Sequence, residues 1–418
     1  MWFRSTNSDT IVSFREAILN CLPPEGGLYV PEKTIDLRQL IAQMNEESNF
    51  CDVTAAITPS LLEAELDPAA ALRVAQSAFN FEPELIRLDD HYSLLNLYKG
   101  PTGLFKDFGI AFLAAVMEEL QSTTSSLVLS AARCNSGVSI ARAFSGRKKM
   151  YAVLVYPYGP VYGLDPTSFI TNGGNIIPIQ INGSFDDCQS IIHGAINDRR
   201  FADRYNVTSA NAINPGRLLP QVLYYLYAFI KIKKHLSGGL AFSVPCGNFG
   251  NLIAGLYAWK FGMPVNAFVA AMNSNNALGN YIKGEAFLPR PLITTNSPAL
   301  DVSVPSNLGR LASFYREAPA VMRNMVHPAS VDDALTLQTI EKVRKSFQVP
   351  IDSNTAVAFA AAEQTAARLG WKGSVHTIIL ATGHYAAENF DFLTEKVDPV
   401  AVIPANLDAF ESVIANCF

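Results

Sequence analysis

Apolar and polar positions follow two rhythms along this chain. Short, nearly continuous apolar runs bounded by turn residues predict buried strands. They are Leu127 to Ser130, Met150 to Tyr156 (ended by Pro157), Ile176 to Ile181 (followed by Asn-Gly), Leu240 to Val244, Val265 to Ala270 and His376 to Ala381. Between them, Phe108 to Leu120, Val138 to Phe144, Leu218 to Lys234 and Leu252 to Phe261 have helical length and pattern. Strands apolar on both faces that alternate with helices predict parallel sheet covered on each side, an α/β architecture. The stretch 289–305 is rich in Pro, Ser, Thr and Asn and predicts a loop. A chain of 418 residues has room for two or three units. We expect 1–90, 91–235 and 236–418, the first set apart because a strand–turn–helix pattern of cofactor-site type begins only at Lys99.

Composition narrows the classes. Hydrophobic residues make up 49% and charged residues 17%, which supplies large cores and excludes disorder. The net charge is −5 and the basic clusters (Arg147 to Lys149, Lys231 to Lys234) are short, so no nucleic-acid partner is expected. Six cysteines lie without a CxxC pair and six histidines without HExxH, which predicts neither a disulfide framework nor a metal site. No apolar run approaches the roughly 18 residues that a membrane span needs. The first residues turn polar at once, without a signal-peptide core. A cytoplasmic, reducing compartment and no membrane association are expected.

Candidate chemistry begins at Tyr98-Lys-Gly-Pro-Thr-Gly-Leu-Phe-Lys106-Asp-Phe-Gly109. A Gly-Pro-Thr-Gly turn delivers Lys106 to the head of a long apolar segment. An amine in a partly apolar pocket loses charge more readily and becomes a nucleophile able to form an imine. A second motif is Ser243-Val-Pro-Cys-Gly247-Asn248-Phe249-Gly250-Asn251. There a strand ends, two glycines bracket an Asn-Phe pair and a helix begins. Two readings fit: a phosphate cradle of backbone amides at a helix N-terminus, or a strand-to-helix turn that needs positive φ at its glycines. Arg217, after Asn214-Pro-Gly, opens a helix with a guanidinium suited to a phosphate.

These motifs occur in an order that resembles the threonine synthase family. Phe3-Arg-Ser-Thr6, Glu25-Gly-Gly-Leu-Tyr-Val-Pro31, Ser209 to Asn214 with Arg217-Leu-Leu-Pro-Gln221, Ser297 to Asp301 with Pro305-Ser-Asn307, and Ala381-Thr-Gly-His384 are similar to family segments nearly end to end. The resemblance implies a fold type II pyridoxal-phosphate enzyme, tryptophan synthase β-like, with the cofactor between two α/β domains. It implies that Lys106 holds pyridoxal 5'-phosphate and moves protons on the substrate. Gly247, Asn248, Phe249, Gly250 and Asn251 would hold the cofactor phosphate. Thr382 would meet the ring nitrogen and Asn135 the ring hydroxyl. Asn214 and Arg217 would hold the phosphate of O-phosphohomoserine, whose conversion with water to L-threonine and phosphate is the implied activity. Monomers and homodimers both occur among such enzymes.

The sequence departs from the family on the substrate side. Ala131-Ala-Arg133-Cys134-Asn135-Ser136-Gly137 carries Arg133 where a small hydroxyl is expected and Cys134 where glycine is expected. Asn135 and Ser136 fit, and Arg133 offers a charged anchor for a substrate carboxylate. Pro160 and Asp165 stand where the family usually shows a lysine and a glutamine. Kept cofactor motifs beside altered substrate motifs leave two alternatives: a lyase or replacement enzyme acting on another activated, phosphorylated amino acid, or a non-catalytic relative that binds the cofactor. His384 is a further candidate base.

Overall fold

The computed structural model describes residues 1–62, 65–120, 125–132, 136–158, 174–282, 284–371, 373–385 and 399–418. Three sheets organise it. Strands β1 (Trp2–Ser5), β2 (Ile11–Ser13) and β3 (Tyr29–Pro31) form a small antiparallel sheet in the order β2-β1-β3. Strands β4 (Glu84–Arg87), β5 (Tyr92–Asn96), β10 (Gly239–Pro245), β11 (Ala267–Met272), β12 (Val326–Ser330) and β13 (Val375–Ala381) form a six-stranded sheet in the order β12-β11-β10-β13-β5-β4. All its neighbours are parallel except the edge pair β4–β5. Strands β6 (Ser126–Ala131), β7 (Met150–Pro157), β8 (Ile176–Asn182), β9 (Val207–Ser209) and β14 (Ala401–Pro404) form a parallel sheet in the order β14-β8-β7-β6-β9.

The six predicted strands and four predicted helical stretches all exist, with ends shifted by a few residues. Leu218 to Lys234 is broken into short turns around the helix Val222–Ile232, because Pro220 cannot donate within a continuous helix. Every residue of β6 is buried, and all but the first of β10, as strands covered on both faces require. Among the described residues no helix is long and apolar enough to cross a membrane.

The sheets do not follow the expected sequential division. Strands β4 and β5 join the sheet built from 239–381, and β14 with the helix Leu407–Cys417 closes the sheet built from 126–209. Nor is the N-terminal stretch a detached layer. Phe50 meets Phe108 at 5.5 Å and Tyr227 at 5.4 Å between ring centroids, and Phe79 meets Phe112 at 6.2 Å. These rings share one core with Leu113, Tyr224 and Phe242. Burial of this aromatic area holds the first 80 residues against the lysine helix.

Candidate active site

The central three strands of the six-stranded sheet, β10, β13 and β5, are adjacent and parallel. Their carboxyl ends therefore open on one edge, where ligands of open α/β sheets bind. β10 runs into Gly247–Asn251, β13 into Thr382, and β5 into the turn that carries Lys106. Neighbouring strands lie about 4.8 Å apart, which brings three motifs scattered over 280 positions of sequence to one crevice.

The lysine turn is clamped from two sides. The Leu97 amide donates to Ala381 O at 2.9 Å, the Phe105 amide to Thr382 O at 3.0 Å, and the His384 amide to Gly103 O at 3.1 Å. Leu104 pairs with Gly383 as an isolated bridge. From the other side, buried Asp107 accepts from the Thr102 amide at 2.8 Å and from the Thr102 and Ser139 hydroxyls, each at 2.7 Å. A Cβ on Gly100 would stand 2.5 Å from Asp107 Oδ2, and Gly103 has φ +72°, so both glycines are dictated by the turn. Burial pushes the Asp107 carboxyl upward, against its hydrogen bonds with Ser139 and Thr102. Lys106, half-buried, is the first residue of the helix Lys106–Leu120. That helix sits close to the segment Pro215–Leu218 because Gly109 has no Cβ: one would lie 2.2 Å from Arg217 O.

The glycine loop differs in its conformation from the turn reading. Neither Gly247 nor Gly250 has positive φ; Phe249 does, at +59°. Gly247 is needed for space. A Cβ on Gly247 would stand 2.8 Å from Ala299 O, whereas one on Gly250 would make only an ordinary contact, 3.6 Å from Asn307 Nδ2. Phe249, buried, caps the helix Gly250–Lys260 in the left-handed region, a strained state for a bulky residue that clusters at ligand sites.

Among the described residues, two buried amide donors that border this loop have no partner: Asn251 Nδ2 and Asn307 Nδ2. Their orientation is fixed. Asn251 Oδ1 accepts from the Tyr224 and Tyr225 hydroxyls, each at 2.7 Å, and Asn307 Oδ1 accepts from Arg310 Nη1 at 2.5 Å. Buried polar groups are rarely left unpaired. A helix N-terminus bordered by two buried donors offers positive potential and N–H groups to an anion.

The remaining predicted residues fall into three groups. Thr382 is buried at the end of β13, and Ser136 is the first residue of its helix. Asn248 is exposed, its Oδ1 accepting from the Ser306 amide and hydroxyl. Arg133 and Asn135, like Pro160 and Asp165, lie outside the described residues. Asn214 has a different use from the one expected. Its Nδ2 donates to Ile18 O and Ser209 O, its Oδ1 accepts from the Gly216 amide, and its exposure is 0%. It braces the N-terminal helix against β9, and its amide is used within the core. Arg217 is also buried rather than superficial; Nη1 donates to Ala210 O at 2.6 Å, and desolvation lowers its pKa to about 10.

Sequence reasoning assigned no role to Asp107, Asn307 or Arg310. Arg310, 1% exposed, donates to Tyr29 O, Ala212 O, Ile213 O and Asn307 Oδ1. It ties the N-terminal sheet, the 210–214 loop and the phosphate side of the crevice together. The Asn-x-x-Arg spacing at a helix start was the available signal. A separate cleft of about 840 Å³, lined by Glu84, Lys99, Tyr227, Lys231 and His235 among others, adjoins the start of the lysine turn. It contains none of Lys106, Thr382 or the glycine loop, so the chemistry is not assembled there.

Residues 2–79 match the family described as threonine synthase N terminus. The chain is 33% identical over 353 residues to threonine synthase of Serratia marcescens, covering 84% of this chain and 81% of that one. Identity to the Escherichia coli (strain K12) threonine synthase is 32% over 353 residues, with the same coverage. The crystal structure of threonine synthase from Escherichia coli matches with a TM-score of 0.88 at 28% identity over the whole of both chains. PLP-bound threonine synthase from Brucella melitensis matches with a TM-score of 0.86 at 25% identity, over 100% of this chain and 99% of that one. Maize serine racemase, at 16% identity and a TM-score of 0.55 over 75% of this chain and 92% of that one, shares the fold alone. With one crevice that unites a lysine turn, a glycine loop and a strand-end threonine, and with about a third of its residues identical across most of both chains, this chain belongs to the threonine synthase family.

Proposed function

We infer that this protein is a pyridoxal-phosphate-dependent threonine synthase that converts O-phosphohomoserine and water to L-threonine and phosphate. The observation that carries the reading is the meeting of Lys106, Thr382 and the 247–251 loop at the carboxyl ends of β5, β13 and β10. The residues present fit the cofactor. Beside the glycine loop, Asn251 Nδ2 and Asn307 Nδ2 supply buried donors that no described group satisfies.

Bound pyridoxal phosphate supplies an electron sink that acidifies the protons of a linked amino acid. The chain supplies the rest. Lys106 anchors the cofactor and then moves protons at Cα, Cβ and Cγ of the substrate, a role suited to an amine held half-buried on a clamped turn. Asn251, Asn307 and the amides that open the helix Gly250–Lys260 hold the cofactor phosphate, and Thr382 faces the ring nitrogen. Arg217, with donors beyond its bond to Ala210, receives the substrate phosphate, and Ser136 with Arg133 receives the carboxylate. Asn214 acts one step back, as the brace of the Arg217 segment.

The test incubates purified protein and pyridoxal phosphate with O-phosphohomoserine and follows phosphate and threonine. Threonine release that is lost in Lys106→Ala supports the reading. Absence of threonine at any pH overturns it, and phosphate release from a different phosphorylated amino acid would mark a retuned relative.

A further inference from the structure

Ser136, Ser139 and Arg142 stand three residues apart on the helix Ser136–Phe144, so they form one row along it. Two of the three reach out to the lysine turn. The Ser139 hydroxyl, on a residue 2% exposed, donates to Asp107 Oδ1 at 2.7 Å and lies 2.8 Å from the Thr102 hydroxyl. Arg142 Nη1, at the surface, donates to Pro101 O at 3.0 Å. Serine within a helix can turn its hydroxyl back onto its own carbonyls; here the hydroxyl is given to another element.

Asp107 is the meeting point. It follows Lys106 in the helix Lys106–Leu120 and is 3% exposed. Its charge is felt by the guanidinium of Arg217, whose segment packs on Gly109. The function proposed above gives the substrate carboxylate to Ser136, the substrate phosphate to Arg217 and the proton transfers to Lys106. All three therefore lie on elements that converge on one buried carboxylate. A tie of this kind transmits motion, because breaking it leaves a buried carboxylate short of a donor that water does not replace.

We propose that Ser139 is a positioning residue for Lys106. Its bond to Asp107 makes the helix that opens at Ser136 and the turn that carries Lys106 move as one body. Substrate held by that helix then also sets the amine against the protons it moves. A serine with a packing role alone would let the two elements respond separately. The proposal rests on the function proposed above, which places the substrate carboxylate at Ser136.

The test uses the protein loaded with pyridoxal phosphate, as wild type and as Ser139→Ala. Alanine is the best helix former, and the variant leaves Asp107 its bonds from the Thr102 amide and hydroxyl. The probe is the phosphonate analogue of O-phosphohomoserine, in which CH₂ replaces the ester oxygen and no phosphate can leave. Amide hydrogen exchange is followed by segment with and without the probe. In the wild type the probe should slow exchange at 136–144 and at 98–109 together. In Ser139→Ala the slowing should persist at 136–144 and be much reduced at 98–109. With O-phosphohomoserine, kcat of the variant should fall about tenfold while KM stays within about twofold, the signature of a misplaced reacting group rather than of lost binding. Equal slowing at 98–109 in the two proteins, none there in the wild type while 136–144 responds, or a raised KM with unchanged kcat overturns the proposal. A probe that slows exchange in neither segment of the wild type would instead overturn the function on which it rests.

Discussion

Arg310→Met puts a number on the joint between the N-terminal sheet and the phosphate side of the crevice. In the wild type the guanidinium serves four acceptors: Tyr29 O at 2.9 Å, Ala212 O at 3.1 Å, Ile213 O at 2.6 Å and Asn307 Oδ1 at 2.5 Å. Hydrogen bonds from a charged donor contribute about 1.5 kcal/mol each at the low end, so their loss costs about 6 kcal/mol. Methionine also removes a penalty. Burial depresses the guanidinium from 12.5 to about 10, which corresponds to about 3 kcal/mol held against the charged form. The net loss is about 3 kcal/mol, readable as a lower urea midpoint of the cofactor-free protein. A second effect accompanies it. Asn307 loses the partner that holds its oxygen, its Nδ2 no longer faces the glycine loop, and cofactor affinity falls as well. Arg310→Lys should land between, because an ammonium reaches fewer of the four acceptors. A Met variant within about 0.5 kcal/mol of wild type, with unchanged cofactor affinity, would refute the assignment of Arg310 as the brace of this crevice.

Three further outcomes follow from the same geometry. Gly247→Ala places a methyl 2.8 Å from Ala299 O and 3.3 Å from Leu300 Cα, both backbone; we expect cofactor titration to show at least tenfold weaker binding, with about 1–3 kcal/mol of stability lost. Asp107→Asn keeps one acceptor oxygen for the Thr102 and Ser139 hydroxyls but gives up the Thr102 amide; it should melt lower and turn over at least tenfold more slowly as the lysine turn loosens, and an unchanged kcat would argue against the clamp. Stability should fall as pH rises from 10 to 12. Tyr92, Tyr98 and Tyr227 are pushed up to about 12, and Tyr224 and Tyr225 are raised further, by burial. Their contribution is whole below pH 10, where the unfolded phenols titrate, and is lost as pH climbs towards the folded values. Arg217 and Arg310, lowered to about 10, act in the opposite sense over this window, but they are fewer. Thermal melts across this range that stay level or rise would contradict the tyrosine burial.

The motifs that hold a cofactor were legible because each is local. Gly-Pro-Thr-Gly before Lys106 is demanded by a single turn, and Gly247-Asn-Phe-Gly-Asn251 by one strand-to-helix junction. The reasons for individual residues were less legible. One of the two readings of the second loop made its glycines conformational, yet the chain there puts positive φ on Phe249 and uses Gly247 for clearance from Ala299. Asn214 looked like a phosphate ligand from its place before a helix, but it is buried against Ile18, almost 200 residues away in sequence.

The order of apolar runs, glycine turns and one lysine determined by itself that this protein is a parallel α/β enzyme of threonine synthase type. Periodicity of burial and the conformational demands of turns act over a few residues, so they are written where they act. Tertiary structure alone decided which strands are neighbours. It brought β5, from the first hundred residues, between β13 and β4, and only that pairing sets Lys106 beside Thr382. It also turned Arg310 and Asn307 from ordinary polar residues into a brace and a buried donor at the glycine loop. Hydrogen bonds and desolvation depend on what the folded chain packs around a group, and no window of sequence contains those neighbours.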